Sequence, residues 1–274
     1  MSVLDGVRSE SLPLGDWGLA YGDGHFETLA VVGGIPPHAA RHLARLRAGA
    51  ARLGIACPPH TAWQDDRAKN MPPGRRRWVV QLILTRGAGG RGYTPAASSR
   101  RIVQIFDWPL WPADCAMAGI ETAVCVTCLG INPGLAGATH LNPLAQVLAR
   151  AELSAAGLIE GLMLDQDDHL SEGTRSNVFV GLGDSLRTPQ LDRCGVAGIL
   201  REIILEQAAE VGMEILECRL PGAQLGQATE IFGCHSLIGI WPVHRLLGPC
   251  VRESEVGPLT RQLQLRLGGL QSSR

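Results

Sequence analysis

Residues 78–85 form a nearly continuous apolar run, WVVQLILT. A run of this length predicts a β-strand that neighbouring elements cover on both faces. Shorter strands and amphipathic helices are predicted on either side of it, without a strict alternation of strand and helix. That order favours an α+β fold over a doubly wound α/β sheet.

The other predicted elements follow from periodicity and from flanking turn residues. Residues 58–76 are polar and proline-rich, which predicts a further helix or a long loop. The predicted strands cover residues 26–32, 102–106, 120–128, 160–165, 177–181, 214–220 and 231–240, and the predicted helices cover residues 38–55, 142–156, 198–211 and 258–267.

The segment DWPLWPADCAMAG, at residues 107–119, interrupts the pattern of predicted strands and helices and contains two prolines. A linker between compact domains has this character. We therefore expect a smaller N-terminal α+β domain at residues 1–107, a linker at residues 108–119 and a larger C-terminal α+β domain at residues 120–274.

Composition excludes several functional classes. The 274 residues carry a net charge of −1, whereas a protein that neutralises nucleic-acid phosphates has a basic excess. No apolar run reaches the roughly 18 residues of a membrane span, and the first residues lack the pattern of a secretory signal. We therefore expect a cytoplasmic protein that binds neither nucleic acid nor membrane.

The eight cysteines are scattered, and most lie in apolar surroundings, which predicts buried reduced thiols. Cys125 and Cys128 form a C-x-x-C pair, but residues three apart on a predicted strand face opposite sides. No second pair follows at the spacing of a zinc site. We expect no metal.

The segment Gly87-Ala-Gly-Gly-Arg-Gly92 satisfies G-x-G-x-x-G after a predicted strand. A dinucleotide site also needs a helix to begin there, and none is predicted. A flexible loop carrying Arg86, Arg91 and Tyr93 suits the capture of carboxylates. The alternative is a solvated hairpin loop.

Seven segments, in their order and spacing, resemble the class IV aminotransferase family of pyridoxal-phosphate enzymes. Within that family they are most similar to aminodeoxychorismate lyase, and together they span nearly the whole chain. The segments are LAYGDGHFET (19–28), HLARL (42–46), TRGAGGRGY (85–93), LGINPGLAGATHLNPLAQVLARAE (129–152), LSEGTRSNVF (170–179), DRCGVAGILR (192–201) and CHSLIGIWPV (234–243).

The resemblance implies a fold and an activity. The fold is the two-domain fold-type IV architecture of pyridoxal-phosphate enzymes, like that of D-amino-acid aminotransferase, with the active site between the domains. The assembly is a homodimer. The activity converts 4-amino-4-deoxychorismate into 4-aminobenzoate and pyruvate for folate biosynthesis, with pyridoxal phosphate (PLP) as cofactor.

The resemblance also implies roles for individual residues. Arg45 would hold the cofactor phosphate together with Ser236 and the backbone N–H groups of Val196 and Ala197, which precede a predicted helix. Glu172 would face the pyridine nitrogen and keep it protonated. The alternatives are a solvated Arg45 on a helix face and a surface-turn Glu172. Arg91 and Tyr93 would meet the two substrate carboxylates.

The sequence departs from the family at one decisive position. The family places a lysine, which binds the cofactor covalently and moves protons, where this chain has Thr139; Ala138 and Pro143 are also atypical. Lys69 is the only lysine among the 25 basic residues, and it lies far upstream in a polar segment typical of the surface. Any PLP is therefore expected to be held non-covalently.

A route without lysine is chemically possible. The substrate's own amine can react directly with the cofactor aldehyde, and His140 or Thr139 would relay the proton. Loss of a positioned acid or base is worth about 10²–10⁴-fold in rate, so the departure leaves two alternatives open. One is a catalytically degenerate member that acts as a binding or partner protein. The other is a transaminase of D- or branched-chain amino acids.

Overall fold

The computed structural model describes residues 1–71, 74–95, 97–248 and 252–268. The chain divides into two compact units. Unit 1 comprises residues 1–110 and 138–142, and unit 2 comprises residues 111–137 and 143–274. The short segment 138–142 thus belongs to unit 1, although its neighbours in the chain on both sides belong to unit 2.

In its described residues, unit 1 consists of an antiparallel sheet and three helices. The sheet has the order β2-β1-β5-β4-β3. Its elements are β1 (Ser2–Leu4), β2 (Val7–Arg8), α1 (Trp17–Tyr21), β3 (Gly24–Val32), α2 (Ala39–Leu53), α3 (His60–Lys69), β4 (Arg77–Thr85) and β5 (Arg100–Asp107).

The strand predicted at residues 78–85 is confirmed as β4, an inner strand of this sheet. One face of the sheet packs on α2, where Leu46 and Ala50 are fully buried against Leu29 and Val31 of β3. Helix α2 ends at Gly54, whose φ of 65° places it in the left-handed region that favours glycine. Burial of this apolar face is the main force that joins α2 to the sheet.

Unit 2 contains a mixed sheet with the order β11-β10-β9-β13-β14-β15, in which β6 also pairs with β14, and a small sheet with the order β12-β8-β7. Its elements are α4 (Cys115–Ala118), β6 (Ile120–Ala123), α5 (Leu144–Ala155), β7 (Leu162–Leu164), β8 (His169–Gly173), β9 (Asn177–Leu182), β10 (Ser185–Pro189), α6 (Ile199–Ala209), β11 (Ile215–Cys218), β12 (Leu220–Pro221), β13 (Glu230–His235), β14 (Gly239–Leu247), β15 (Arg252–Glu253) and α7 (Pro258–Arg266). The predicted α+β class is confirmed.

Two strand predictions were wrong. Residues 231–240 form a hairpin, with β13 ending at His235 and β14 beginning at Gly239, rather than one strand. The strand predicted over residues 120–128 ends at Ala123, because the N–H groups of Val126 and Thr127 donate to the Glu152 carboxylate of α5 instead of to a sheet partner.

The prediction that most cysteines are buried holds for some of them and fails for others. Cys115, Cys125, Cys194 and Cys234 are buried free thiols, Cys128 is exposed, and Cys250 lies outside the described residues. Among the residues that the structure describes, no three His, Cys, Asp or Glu side chains cluster as a metal site. No helix in the described ranges combines the length and apolar character that a membrane span requires.

Glu230 generates a prediction about the stability of unit 2. This buried carboxylate accepts hydrogen bonds from the N–H of Thr260 at 2.7 Å and its hydroxyl at 2.6 Å, so it caps the start of α7. We expect Glu230→Gln to lower the free energy of unfolding by about 1–2 kcal/mol, because the amide loses the charge that favours a helix N-terminus. Urea unfolding measures the change.

The matched control is Glu255→Gln, because Glu255 is an exposed carboxylate near the same helix. It should change the free energy of unfolding by less than about 0.5 kcal/mol. Equal stability of the Glu230→Gln variant and the control would contradict the capping role.

Candidate active site

Glu27 forms the centre of a buried ionic cluster in unit 1. Its side chain is fully buried on β3. One oxygen, Oε2, lies 2.7 Å from His42 Nδ1 and accepts a hydrogen bond from Arg45 Nη2 at 2.6 Å, while Oε1 accepts from Arg45 Nε at 2.7 Å. Burial raises the carboxyl pKa, but these hydrogen bonds outweigh it and leave the pKa of Glu27 below its usual value. Glu27 is therefore an anion with two partners on one helix.

The local sequence explains this cluster. Alternation along β3 puts His25, Glu27 and Leu29 on the buried face of the strand. His42 and Arg45 are three residues apart on α2, so they share one helix face. Arg45 is 19% exposed, so it is not the solvated guanidinium that was the alternative.

The segment 138–142 adds a short stretch of backbone pairing to β3. The N–H of Phe26 donates to the carbonyl of Thr139 at 2.9 Å, and the N–H of Leu141 donates to the carbonyl of Gly24 at 3.1 Å. The N–H of Thr139 donates to Nε2 of His25 at 3.2 Å. The Thr139 side chain is buried, and its Oγ1 has no hydrogen-bond partner in the structure. The position at which the resemblance implies a lysine thus holds a hydroxyl without a hydrogen-bond partner.

His140 follows directly and is half-buried. Its Nδ1 accepts a hydrogen bond from the N–H of Asn142 at 3.1 Å, which fixes the proton of the neutral ring on Nε2. Burial lowers the pKa of His140. In this arrangement the neutral ring donates a hydrogen bond from Nε2, and that nitrogen acts as a base only after the ring changes tautomer.

Glu172 lies on β8 in unit 2 and is 5% exposed, so the surface-turn alternative was wrong. Its Oε1 accepts from Nε2 of Gln146 on α5 at 3.0 Å, and its Oε2 accepts from the N–H of Val196 at 2.8 Å. Burial raises the pKa of Glu172 to about 7, although both hydrogen bonds lower it. A carboxyl poised in this way can share a proton with a basic nitrogen at neutral pH.

The loop before α6 is held by several backbone contacts. The N–H of Ala197 donates to the carbonyl of Gly137 at 3.1 Å, and Nδ2 of Asn177 donates to the carbonyl of Val196 at 2.7 Å. The N–H of Gly198 donates to Oδ1 of Asn177 at 3.0 Å. The N–H groups of Val196 and Ala197 are therefore already committed, and a phosphate could use them only by replacing these bonds.

Ser236 lies in the turn of the hairpin between β13 and β14 and is half-buried. The turn is closed by the neighbouring histidine, since the N–H of Leu237 donates to Nδ1 of His235 at 3.2 Å. This turn was not predicted, because residues 231–240 were assigned to a single strand. Ser236 is the first residue of the turn.

The glycine-rich loop separates the three side chains predicted to bind carboxylates. Arg86 is buried and bonds Asp23 and the carbonyls of Leu53 and Gly54, so its role is structural. Arg91 is exposed, and Tyr93 is 86% exposed with its ring 5.5 Å from that of Tyr21. Arg86 is thereby removed from the expected set, and Arg91 and Tyr93 stay predictions.

Lys69 lies at the end of α3 and is 57% exposed, 3.9 Å from Asp66. This placement matches the surface lysine that its polar segment predicted.

The sequence profile of the amino-transferase class IV family matches residues 24–246, a range that includes Glu27, Thr139 and Glu172. The chain belongs to this family, and the predicted resemblance is confirmed.

Two relatives share a single activity. Aminodeoxychorismate lyase from Vibrio harveyi is 32% identical over 269 residues, covering 96% of this chain and 98% of the relative. The crystal structure of 4-amino-4-deoxychorismate lyase from Pseudomonas aeruginosa matches with a TM-score of 0.91 and 44% identity, covering 97% of this chain and 98% of the other. Branched-chain amino acid aminotransferase from Escherichia coli matches with a TM-score of 0.85 and 26% identity, covering 98% and 93%. The fold-type IV architecture is confirmed.

A hypothetical aminotransferase from Mycobacterium tuberculosis, solved in its PLP-bound form, shares this fold with a TM-score of 0.82 and 20% identity. The residues of this chain fit such a group at two points. Glu172 is a buried carboxylate poised to share a proton with a ring nitrogen, and Thr139 offers a buried hydroxyl without a partner. Arg45 supplies a cation, which it shares with Glu27.

Sequence reasoning missed four residues that contact the predicted ones or their partners: His25, Glu27, His42 and Gln146. A signal for two of them existed. The alternation that makes β3 amphipathic puts His25 and Glu27 on the same face as Leu29, and polar residues on a buried face need partners. No local pattern points from Gln146 to Glu172.

The raised pKa of Glu172 predicts a pH dependence of stability. An unfolded Glu titrates near its ordinary value of 4.5, whereas the folded pKa is about 7. The folded state therefore binds more protons between these values, and the free energy of unfolding should fall as pH rises from 5 to 8. The contribution is on the order of 3 kcal/mol, which urea unfolding at a series of pH values measures.

The control is Glu172→Gln, which has the same shape and does not titrate. Gln146 can turn its amide to accept from the new one, so the hydrogen bond survives. We expect this variant to lose most of the decline between pH 5 and 8. An unchanged decline would contradict the pKa assignment.

Proposed function

We propose that this chain is an aminodeoxychorismate lyase, which converts 4-amino-4-deoxychorismate into 4-aminobenzoate and pyruvate with PLP held non-covalently. The observation that carries the proposal is the alignment of two lyases, at 32% and 44% identity, over nearly the whole chain. The reaction belongs to folate biosynthesis, and we place the enzyme in the cytoplasm.

We assign the cofactor contacts residue by residue, as the family resemblance implies. Arg45 binds the phosphate together with Ser236, and the N–H groups of Val196 and Ala197 join these contacts by giving up their bonds to Glu172 and Gly137. Glu172 holds a proton at the pyridine nitrogen. When bound, PLP supplies an aldehyde that reacts with amines and a protonated ring that accepts electrons.

Thr139 and His140 take over the proton transfers that the family assigns to its lysine. The Thr139 hydroxyl cannot bind the cofactor covalently as an amine does, but its buried, unpartnered Oγ1 can hand on a proton. His140 is a neutral ring with its proton on Nε2, and it relays a proton by releasing that proton as Nδ1 takes up another. Arg91 and Tyr93 bind the two substrate carboxylates, for which their exposed loop leaves them accessible.

A second candidate is a binding protein that keeps the fold and the cofactor without catalysis. The observation in its favour is Thr139 itself, because loss of the amine removes the usual covalent attachment. A transaminase of D- or branched-chain amino acids is a weaker candidate, since its proton shift between two carbons depends on the same missing lysine.

The lyase proposal predicts product formation by the purified protein. We expect 4-aminobenzoate and pyruvate in equal amounts when PLP and 4-amino-4-deoxychorismate are supplied, well above a protein-free control. Arg45→Gln should weaken PLP binding by about 10- to 100-fold, since it removes a charge-assisted hydrogen bond. Product release is followed by chromatography and binding by tryptophan fluorescence.

Two controls sharpen this test. Arg45 also balances Glu27, so the double variant Glu27→Gln, Arg45→Gln separates loss of binding from an uncompensated buried charge. Borohydride reduction of a Lys69→Arg protein should attach no cofactor, whereas Thr139→Lys in the same background should become labelled. Bound PLP without product would favour the binding protein, and failure to bind PLP would overturn both candidates.

We also propose that the chain forms a homodimer. Helix α5 exposes Leu144, Val147 and Leu148, which are 66%, 57% and 51% exposed and lie on one helix face. Such a face is costly to leave in water and typical of an interface.

The dimer proposal predicts a mass about twice the 29.2 kDa of one chain by light scattering coupled to gel filtration. Val147→Glu should shift the mass toward the monomer, because a charge would be buried in the interface. Leu265→Glu is the control, since Leu265 is an 82% exposed apolar residue on α7. A wild-type monomer would contradict the proposal.

A further inference from the structure

His25 makes a specific contact with the residue that replaces the family lysine. The side chain is fully buried on β3, and its Nε2 accepts the hydrogen bond from the N–H of Thr139 at 3.2 Å. The neighbouring backbone is paired as well, through the bond from Phe26 N–H to the Thr139 carbonyl. Both backbone groups of Thr139 are therefore held by two successive residues of β3.

Helix α2 makes room for this imidazole. Gly49 lies in the interior of α2, and a Cβ at that position would lie 2.2 Å from Cδ2 and 2.3 Å from Nε2 of His25. Glycine in a helix interior is less favourable than alanine. The imidazole of His25 thus occupies the space that a side chain at position 49 would fill.

The protonation state of His25 suits an acceptor. Burial lowers its pKa to about 4, Glu27 raises it, and Arg45 and His140 lower it. The ring is neutral at neutral pH, and because Nε2 accepts a hydrogen bond, the proton lies on Nδ1. The bond from the Thr139 N–H is therefore available throughout the physiological range.

With its N–H and carbonyl both bonded to β3, Thr139 keeps one polar group to offer, the buried Oγ1. A buried hydroxyl without a partner is unfavourable, and an acceptor on a ligand would satisfy it. We propose that His25 is a positioning residue that fixes Thr139 so that its hydroxyl donates to the carbonyl oxygen of the PLP aldehyde. This inference rests on the proposed function for the identity of the ligand.

The test compares two ligands that differ at this oxygen. PLP carries the aldehyde, and 4-deoxypyridoxine 5′-phosphate has a methyl group in its place. Dissociation constants are measured by tryptophan fluorescence in a Lys69→Arg background, which removes the lysine side chain. We expect wild-type residues at the site to favour PLP by about tenfold, the value of one net hydrogen bond.

Variants assign that preference to residues. Thr139→Val keeps the shape without the hydroxyl and should bind both ligands equally. His25→Gln places an acceptor near the position of Nε2 and should retain the preference. His25→Asn places its amide nearer Nδ1, leaves the Thr139 N–H without its acceptor, and should lose the preference. Gly49→Ala displaces the ring and should lose it without altering His25.

Thermal unfolding of each variant shows whether it is folded. If His25→Asn or Gly49→Ala folds and keeps the full preference, the role of His25 is overturned, and equal binding of both ligands before substitution overturns it as well. Product assays on the same samples separate the two proposals. A preference that depends on His25, without 4-aminobenzoate, would support this inference and contradict the lyase.

Discussion

The buried carboxylate of Glu27 is the interaction on which the candidate site residues of unit 1 depend. An anion removed from water must be compensated, and here His42 and Arg45 of one helix supply hydrogen bonds to both oxygens. These bonds fix the register between β3 and α2. His25 lies on the same strand and accepts the hydrogen bond from the Thr139 N–H. The contacts that hold β3 against α2 therefore also position Thr139.

Threonine at position 139, where the family resemblance implies a lysine, bears on the electrostatics of this neighbourhood. An ammonium group at position 139 would be a further cation close to His25 and Glu27, whereas threonine leaves Arg45 and His42 as the partners of the carboxylate. The chain therefore keeps a balanced buried pair without lysine, and the hydroxyl contributes no charge. In unit 2, Glu172 has only neutral donors among its described hydrogen bonds, which explains why burial dominates its pKa.

Local patterns predicted much of the fold. The strand at residues 78–85 and the helix at residues 198–211 were located to within two residues, because apolar periodicity and terminal glycines mark them. The hairpin at residues 231–240 was missed because its turn contains Leu237 and Ile238, which carry no turn signal. The strand at residues 120–128 was overextended because Glu152, distant in sequence, captures its N–H groups.

For the candidate site, the sequence predicted individual residues from motifs, but it did not predict the hydrogen-bond partners of those residues. The burial of Glu172 could not be read from the polar turn before it, since Gln146 and Val196 come from distant segments. The commitment of the Val196 and Ala197 N–H groups likewise depends on Glu172 and Gly137. Hydrogen bonds between residues far apart in the chain have no local signature.

The pairing of segment 138–142 with β3 has a consequence for synthesis of the chain. Residues 24 and 141 hydrogen-bond across a long stretch of sequence, so the edge of β3 stays unpaired there until the ribosome has produced residue 142. By then the chain has already entered unit 2, whose strands and helices are mostly still to come. Thr139 thus joins unit 1 late in synthesis, from a segment flanked on both sides by residues of unit 2. Contacts between residues so far apart in the chain slow folding.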